Sequence, residues 1–350
     1  MRPSPAYLVG TVVVVASCVL GANGQGKDES GSPRVVAVAV TPARADVART
    51  TMRFLPKPEG LTAEDGAAFY KKAVQALPAN LDKDRLDRWI KGPLNELPLD
   101  QAQVVLDQAK GCFDLVGQGA RCKNCNWPPF VPGVMPADLS EYRQVCNLLR
   151  LKARVEIPRS QYDEAIDTIG TGLAMAKHIG EAPTVIQGMV GVAIASVMLR
   201  CVDDMAQIKD TPNLYPALHA LPHPLIDLNV PMSSELKNLE TSTQYNALVK
   251  SAMRDHLEDS HVAVRRLMNR LDGTVTALEC IEVLRHYAAG HNGQLPGQLN
   301  EITDLQVPND PATDKPFTYR IEGSKAILEV SAPKGGTLRD TTRYEITVAR

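Results

Sequence analysis

Four cysteines in the middle of the chain are the residues whose type and spacing best suit chemistry: Cys112, Cys122, Cys125 and Cys146. Cys122 and Cys125 form a C-x-x-C pair. Four thiolates can bind zinc, but zinc sites usually combine two close-spaced pairs. A redox pair needs its first cysteine at a helix start, whereas Asn-Trp-Pro-Pro follows Cys125 and disfavours a helix. In an oxidising compartment the pattern favours structural disulfides among the four, with metal and redox sites as alternatives.

The remaining polar residues match no catalytic motif. His256 and His261 lie five apart, off a common helix face, so joint metal ligation is not expected. The segment from Gly117 to Gly119 lacks the third glycine of a dinucleotide fingerprint and follows a predicted helix instead of a strand. No nucleophile elbow or phosphate loop occurs. We therefore predict no catalytic residue, no metal and no cofactor, and whether the protein is an enzyme stays open, with the negative answer favoured.

Other histidines and aspartates have predicted structural roles. His286 and His291 flank a helix end, where cationic side chains commonly cap carbonyl groups. Asp203 with Asp204, and Asp310 with Asp314, could bind calcium, but adjacent or turn-forming aspartates are more often solvated or capping.

The first 24 residues are typical of a signal peptide. Arg2 supplies the positive charge, residues 8–16 form an apolar run, and Ala22-Asn23-Gly24 offers small residues for cleavage. The apolar run is shorter than the roughly 20 residues of a membrane span. We expect an exported protein of the periplasm or cell envelope. The sequence Val-Ala-Ser-Cys18 resembles a lipobox, so lipidation of Cys18 is the alternative.

Composition favours a globular helical protein. Of the 350 residues 44% are hydrophobic and only 5% aromatic, which suits helix packing better than an aromatic-rich β-sandwich. Lys and Arg number 38 against 40 Asp and Glu, so no overall basic field exists to attract nucleic acid or anionic lipid. We expect no nucleic-acid partner, and membrane contact only through a lipid anchor.

Apolar spacing predicts an irregular array of helices. Residues 25–60 are rich in Gly, Ser and Pro and form a predicted flexible leader, in which Val35 to Val40 could be one strand. Helical spacing then continues through a domain at 61–271. The capping signals of its helices are Thr62 with Asp65, Asp100 and Ser160. Predicted helices cover 68–77, 83–90, 100–116, 138–157, 162–180, 183–202 and parts of 233–271.

Two features of this array are specific. The helices at 138–157 and 162–180 are predicted to form an antiparallel hairpin. The apolar segment 183–202 could span a membrane, but its polar interruptions favour a central buried helix, in which Gly188 and Gly191 allow neighbours to approach closely.

The C-terminal part, 274–350, is predicted to be a small α+β module. Gly273 is expected to end the preceding region, and a helix follows at 274–289. Period-two patterns then predict about three antiparallel strands near 317–321, 326–330 and 344–348. The fold class is therefore mainly α, with helical hairpins and this module.

Two stretches resemble known families. Tyr142 to Lys177, with Leu151 and Tyr162, is similar to one tetratricopeptide-type helical pair. The segment from Leu278 to Pro333 resembles the part of major pseudopilins that follows their long helix, through Leu-Arg-His-Tyr, Asn-Gly-Gln-Leu-Pro, Asp-Pro and Lys-Pro-Phe-Thr-Tyr. The second resemblance implies a helix, a loop and a small antiparallel sheet. The prepilin cleavage motif of that family is absent from the sequence, so filament assembly is not implied.

The whole chain is similar to a family of exported bacterial helical proteins without an assigned activity. We expect a non-enzymatic scaffold that binds another protein in the cell envelope, because short helical arrays present surfaces for recognition. An envelope enzyme with a cysteine-based metal or redox site, and a lipoprotein accessory to a secretion system, are the alternatives.

Overall fold

A computed structural model describes residues 31–46, 52–129, 135–243 and 245–349. Within these ranges the protein is mainly helical, as predicted, with a small strand-containing region at its C-terminal end. The helices are α1 Gly66–Gln75, α2 Lys83–Lys91, α3 Leu99–Gln108, α4 Lys110–Ala120, α5 Leu139–Glu156, α6 Tyr162–Gly180, α7 Val185–Ala206, α8 Tyr215–His219, α9 Asn229–Thr241 and α10 Ala247–Gly290. The strands are β1 Arg34–Val40, β2 Thr62–Asp65, β3 Cys122–Asn124, β4 Asn309–Asp310, β5 Lys315–Pro316, β6 Thr318–Glu322, β7 Lys325–Val330 and β8 Thr342–Val348.

Helices α5, α6 and α7 pack together at the centre of the molecule. The predicted hairpin of α5 and α6 is confirmed, since a short turn at residues 157–161 joins them. The close approach predicted at Gly191 is confirmed too: a Cβ built there would lie 2.4 Å from Gly180 Cα and 2.5 Å from Ala176 O. Real Cβ contacts are never this short, so α6 and α7 can touch only because position 191 has no side chain.

The apolar helix α7 is the central helix of the core. In the described part of the chain it is the one helix long and apolar enough to cross a membrane, and 78% of its apolar window is buried within the protein. Its neighbours are α5, α6, α9 and α10. The structure therefore gives its apolar surface a partner on most sides.

Helix α5 separates two hydrophobic clusters. Val145, Leu149 and Ala153 face the main core of α6, α7 and α10. Leu148 and Leu151 face a smaller cluster that buries the apolar sides of α2 and α3. Because both faces are covered, α5 is buried along most of its length.

A four-stranded sheet joins the two ends of the described chain. Its strand order is β1-β8-β7-β6. The three C-terminal strands pair antiparallel, as predicted, but β1 adds a parallel partner on β8, with Arg34 opposite Thr342 and Val40 opposite Val348. The sheet is therefore mixed. The expected flexible leader contains this strand, and Phe54, also within the leader, is buried.

Helix α10 runs through the break predicted at Gly273. The helix is continuous from Ala247 to Gly290. A Cβ at Gly273 would lie 2.8 Å from Val330 Cγ1, so this glycine brings β7 close to the helix and does not end it. The division into units at 61–271 and 274–350 stays a prediction, and one hydrophobic cluster contains residues of both.

Three predicted caps are wrong in detail. Thr62 lies in β2, and Asp65 itself caps α1 by accepting from Ala67 N. The predicted helix at 100–116 is two helices that meet at Ala109, and the cap position of the first is Pro98. Ser160 has a positive φ of 58° and makes the turn before α6. At Thr62 strand pairing, and at Ser160 a turn conformation, overrides the local capping preference.

A buried ion pair on α10 binds three other segments. Arg285 and Glu282 are both fully buried, and Nη1 of Arg285 lies 2.8 Å from each oxygen of Glu282. Nε of Arg285 donates to Thr41 O, and Nη2 donates to Thr211 Oγ1. Oε2 of Glu282 also accepts from Leu214 N at 2.8 Å. We call this group of residues the clasp.

The clasp continues through backbone groups. Asn213 Nδ2 donates to Ala43 O and to Glu282 O. Thr41 donates from its backbone N to Ala206 O, at the end of α7. Residues 41–43, the end of α7 and the loop before α8 are thereby fixed to one turn of α10. Breaking a buried pair of this kind costs about 3 to 5 kcal/mol, because the remaining charge has no partner.

The contact at Gly191 gives a matched pair of glycine substitutions. We expect Gly191→Ala to lower the free energy of unfolding by about 2 kcal/mol or more, because α6 and α7 must separate. Gly117→Ala should raise it by about 0.5 to 1 kcal/mol, since Gly117 lies in α4 with open space around it. Urea unfolding followed by circular dichroism measures both. Equal effects of the two changes would contradict the described packing.

Helix α9 is attached through a buried carboxyl group. Glu235 Oε1 accepts from Val185 N, at the start of α7, at 2.7 Å. Burial raises the pKa of Glu235 to about 7, although this hydrogen bond acts in the opposite direction. The folded protein therefore favours the protonated form more than the unfolded chain does.

The raised pKa of Glu235 predicts an unusual pH dependence. Its stability contribution is complete below the ordinary glutamate range, about pH 4.3, and is lost as pH rises through about 7. We expect Glu235→Gln to increase the free energy of unfolding at pH 8 relative to the unsubstituted protein, by a few kcal/mol at most, and to have less effect at pH 5. Urea titrations at both pH values test this, with the exposed Glu240→Gln as control. A larger gain at pH 5 than at pH 8 would contradict the prediction.

Candidate functional site

The C-x-x-C pair lies on a short strand beside the start of α1. Strand β3 pairs in parallel with β2, placing Cys122 opposite Thr62. Cys122 Sγ donates to Gln118 O at 3.3 Å and accepts from Thr62 Oγ1 at 3.6 Å. Asp65 Oδ1 accepts from Asn126 N at 2.8 Å, so one carboxylate holds both the helix start and the residue after Cys125.

An aromatic cluster underlies this cysteine loop. The ring of Tyr70, fully buried, lies parallel to the Trp127 ring, with centroids 6.4 Å apart. Tyr70 Oη and His178 Nδ1 share a hydrogen bond of 2.8 Å. Trp127 Nε1 donates to His178 O at 2.7 Å, and its ring meets Tyr142 edge-on. The loop is thus fastened to α1, α5 and α6 by rings and hydrogen bonds.

Gly119 makes room for the aromatic cluster. A Cβ at this position would lie 2.7 Å from the Tyr70 ring. The Gly-Gln-Gly segment, which lacks a full nucleotide-binding fingerprint, therefore has a packing role at its second glycine.

The electrostatics of the cluster suppress acid–base and thiolate chemistry. Burial, then the charge of Asp65, raises the pKa of the Cys125 thiol well above its usual range. Burial lowers the pKa of His178 to about 4, so its imidazole is neutral at pH 7. Burial also raises the pKa of the Tyr70 phenol. A thiol reacts and binds metal as its thiolate, so these shifts oppose redox or ligand roles for Cys125.

The other two predicted cysteines, Cys112 and Cys146, are core residues. Cys112 is buried in α4 and Cys146 in α5, and burial raises the pKa of each thiol to about 12. Cys146 Sγ contacts Ile194 O. The six cysteines of the described residues are all free in this structure, so the disulfides stay a prediction. Cys18 lies outside the described residues.

Within the described ranges the cysteines are not part of a set of side chains that could bind a metal ion. No group of three or more His, Cys, Asp or Glu side chains there comes close enough to hold a metal ion. The four-thiolate zinc alternative would require the described packing to change.

Only one of the two predicted histidine caps is confirmed. His291 Nδ1 lies 2.7 Å from Tyr287 O and so caps the end of α10. His286 instead accepts from Ala45 N at Nδ1 and contacts Asp304 Oδ2 through Nε2, 2.6 Å away. Accepting at Nδ1 places the proton on Nε2, so His286 joins the N-terminal segment to the loop after α10.

Two histidine–carboxylate pairs are present that the sequence pattern did not predict. His219 Nδ1 lies 2.7 Å from Glu279 Oε1, and His223 Nδ1 lies 2.7 Å from Asp272 Oδ1. The hydrogen bond with Asp272 raises the pKa of His223. In the sequence the two histidines are four residues apart and the two acids are seven residues apart. The spacing of seven puts both acids on one face of α10. These pairs fasten residues 215–224 to α10.

The Asp-Pro turn has a structural role, as predicted. Asp310 is buried, its Oδ1 accepts from Ala312 N, and its Oδ2 accepts from Ser331 N. The carboxylate thus ties the turn before β6 to the end of β7.

Comparisons of the chain with models of protein families, with curated proteins and with solved structures find no match. The resemblances to tetratricopeptide pairs and to pseudopilins stay predictions.

The hydrogen bond between Tyr70 and His178 should stabilise the packing of α1 on α6 beneath the cysteine loop. We expect Tyr70→Phe, which keeps the ring, to lower the free energy of unfolding by about 1 to 2 kcal/mol, because His178 Nδ1 loses its partner while buried. The control Tyr162→Phe should change it by less than about 0.5 kcal/mol, since Tyr162 Oη makes only an exposed contact at 3.5 Å. Urea unfolding measures both changes. A loss for Tyr162→Phe as large as that for Tyr70→Phe would contradict this role.

Proposed function

We propose that this chain is an exported envelope protein that serves as a non-enzymatic helical scaffold for a protein partner. The N-terminal pattern of Arg2 and the apolar run 8–16 supports export. The observation that carries the scaffold assignment is the clasp, in which buried polar groups bond one another and fix four segments in place. A frame of this kind holds a surface rigid, which reduces the entropy lost on binding.

The surface proposed for the partner is the hairpin of α9 and α10. Lys250 Nζ donates to Glu240 O at 2.7 Å, which joins the ends of the two helices. Leu248 is 81% exposed, and Val262 is 50% exposed on the same helix. Fourteen residues correspond to about four helical turns, so these two side chains lie on one side of α10. The two side chains are about 21 Å apart along the helix, so we propose that the partner contacts α10 over this length.

The alternative of a cysteine-based enzyme has weaker support. The pKa of Cys125 is raised by burial, as are those of Cys112 and Cys146, and a reactive thiol needs the opposite shift. The lipoprotein alternative depends on Cys18 alone. Intact mass spectrometry of protein purified from the envelope, with and without thiol alkylation, distinguishes these cases. A chain that starts at Gln25 excludes lipidation at Cys18.

Partner binding can be tested with matched surface substitutions. We expect the tagged protein to retain a specific envelope protein after cross-linking, and Leu248→Asp to abolish this because a charge replaces the exposed apolar contact. Val104→Asp is the control, since Val104 is 57% exposed on α3. Circular dichroism confirms that both variants fold. Equal retention by the two variants, or none by the unsubstituted protein, would contradict the proposed surface.

A further inference from the structure

The outer edge of β1 is open along the middle of the strand. At the two ends of its ladder with β8, Arg34 N donates to Thr341 O at 3.0 Å and Ala349 N donates to Val40 O at 2.8 Å. Backbone groups of successive residues in a strand point to opposite sides, so the even-numbered residues of β1 bond β8. The N–H and C=O groups of the odd-numbered residues point away from β8. These residues are Val35, Ala37 and Ala39.

The three odd-numbered residues have no backbone partner in the described part of the chain. Among the described strands β1 pairs with β8 alone, and none of the three residues makes another hydrogen bond there. Val35 is 55% exposed, and Ala37 and Ala39 are exposed as well. Two groups on each of three residues make six backbone groups that are free to bond another strand.

This open stretch is limited at both ends. Thr41, the next odd-numbered residue, donates from its N to Ala206 O, and its carbonyl O accepts from Arg285 Nε. Pro33, the preceding odd-numbered residue, has no N–H group. The edge therefore offers three fully open residues with Ala37 at their centre.

The β1 edge lacks the features that keep sheet edges apart in most proteins. Such edges are usually protected by charged side chains, prolines or bulges. Strand β6, at the other edge of the sheet, carries Arg320 and Glu322, which form an ion pair at 2.7 Å. Residues 35–40 are valines and alanines only, and their register with β8 has no bulge. The β1 edge can therefore accept another strand without bringing charges on that strand together.

We propose that the β1 edge pairs with the β1 edge of a second copy of this chain. A two-fold axis at Ala37 makes the two strands antiparallel and places Ala37 opposite itself and Val35 opposite Ala39 of the second copy. Each opposed pair exchanges two hydrogen bonds, so all six open groups of each copy are bonded. The two sheets of four strands become one sheet of eight.

A second copy fits this edge better than the chain's own leader does. After the predicted cleavage, the leader next to β1 consists of residues 25–30, Gln-Gly-Lys-Asp-Glu-Ser, whose three charges and glycine disfavour a strand. A second β1 has the same length and the same open groups. On β8, Glu345 lies opposite Ala37 and is paired with Lys325 at 2.9 Å, so its charge does not oppose the pairing. The interface uses none of the residues proposed for the partner surface on α9 and α10.

Sedimentation velocity of the purified protein over a concentration series tests the proposal, with a reversible equilibrium of monomer and dimer as the expected result. Ala37→Pro should weaken dimerisation about tenfold or more, because both hydrogen bonds donated at the axis are lost. It keeps the ladder with β8, since the N–H of residue 37 points away from β8. The control Ala37→Ser retains this N–H and should dimerise like the unsubstituted protein. A monomer at every concentration, or equal dimerisation of the two variants, would overturn the proposal.

Cysteine cross-linking tests the position of the axis. Cα atoms of a hydrogen-bonded antiparallel pair are about 5.5 Å apart, a distance that a disulfide spans. Mild oxidation should therefore link Ala37→Cys into a dimer. In Ala39→Cys, the matched control, the two substituted positions lie four residues apart along the strands, about 14 Å, and should not be linked. The unsubstituted protein, with its own free cysteines, gives the background.

The cross-linking comparison tests the register even where Ala37→Pro fails to fold. Equal linking of Ala37→Cys and Ala39→Cys, or no linking of Ala37→Cys above the background, contradicts the proposed pairing.

Discussion

The ion pair between Arg285 and Glu282 is the interaction on which the arrangement of the other elements depends. Its two side chains are adjacent on one face of α10, so the helix presents them already paired. The donors and acceptors that remain are used by residues 41–43, the loop at 211–214 and, through Thr41, the end of α7. Hydrophobic burial alone would allow these segments to slide on α10. Bonds to a charged pair with a fixed direction specify one position, which is the role proposed for buried polar groups in other folds.

The same logic explains how polar residues are distributed elsewhere. Histidine–carboxylate pairs attach residues 215–224 to α10, the Asp310 carboxylate holds the turn before β6, and the hydrogen bond of Trp127 attaches the cysteine loop to α6. Each cluster joins segments distant in sequence. A frame built in this way suits the scaffold role that we propose. The arginines and aspartates between α5 and α7 differ, because Nε of Arg150, Nε of Arg154 and Oδ1 of Asp203 have no hydrogen-bond partner among the described residues.

The sequence predicted the helices better than the hydrogen bonds and ion pairs that join them. The hairpin of α5 and α6 and the buried α7 follow from apolar spacing, which records how each helix faces the core. The prediction at Gly273 is wrong because a glycine can either end a helix or make room for a neighbouring element. Only the contact with Val330 on β7 distinguishes the two roles. The prediction that Asp204 is solvated or capping is wrong for a related reason, since its carboxylate is buried against Arg154, fifty residues earlier on α5. The parallel pairing of β1 with β8 could not be predicted either, because period-two alternation indicates a strand but not its partner.

That parallel pairing has a consequence for the way the protein matures. The strand at residues 34–40 is made early, yet its neighbour is 342–348, near the other end of the sequence. Closing so wide a loop carries a large entropic cost, which only a nearly complete helical core can offset. During synthesis β1 therefore stays unpaired, with its valines exposed, until its partner strand has been made. Strand β1, at one edge of the sheet, is thus made first of the four strands and gains its only partner among the described strands last.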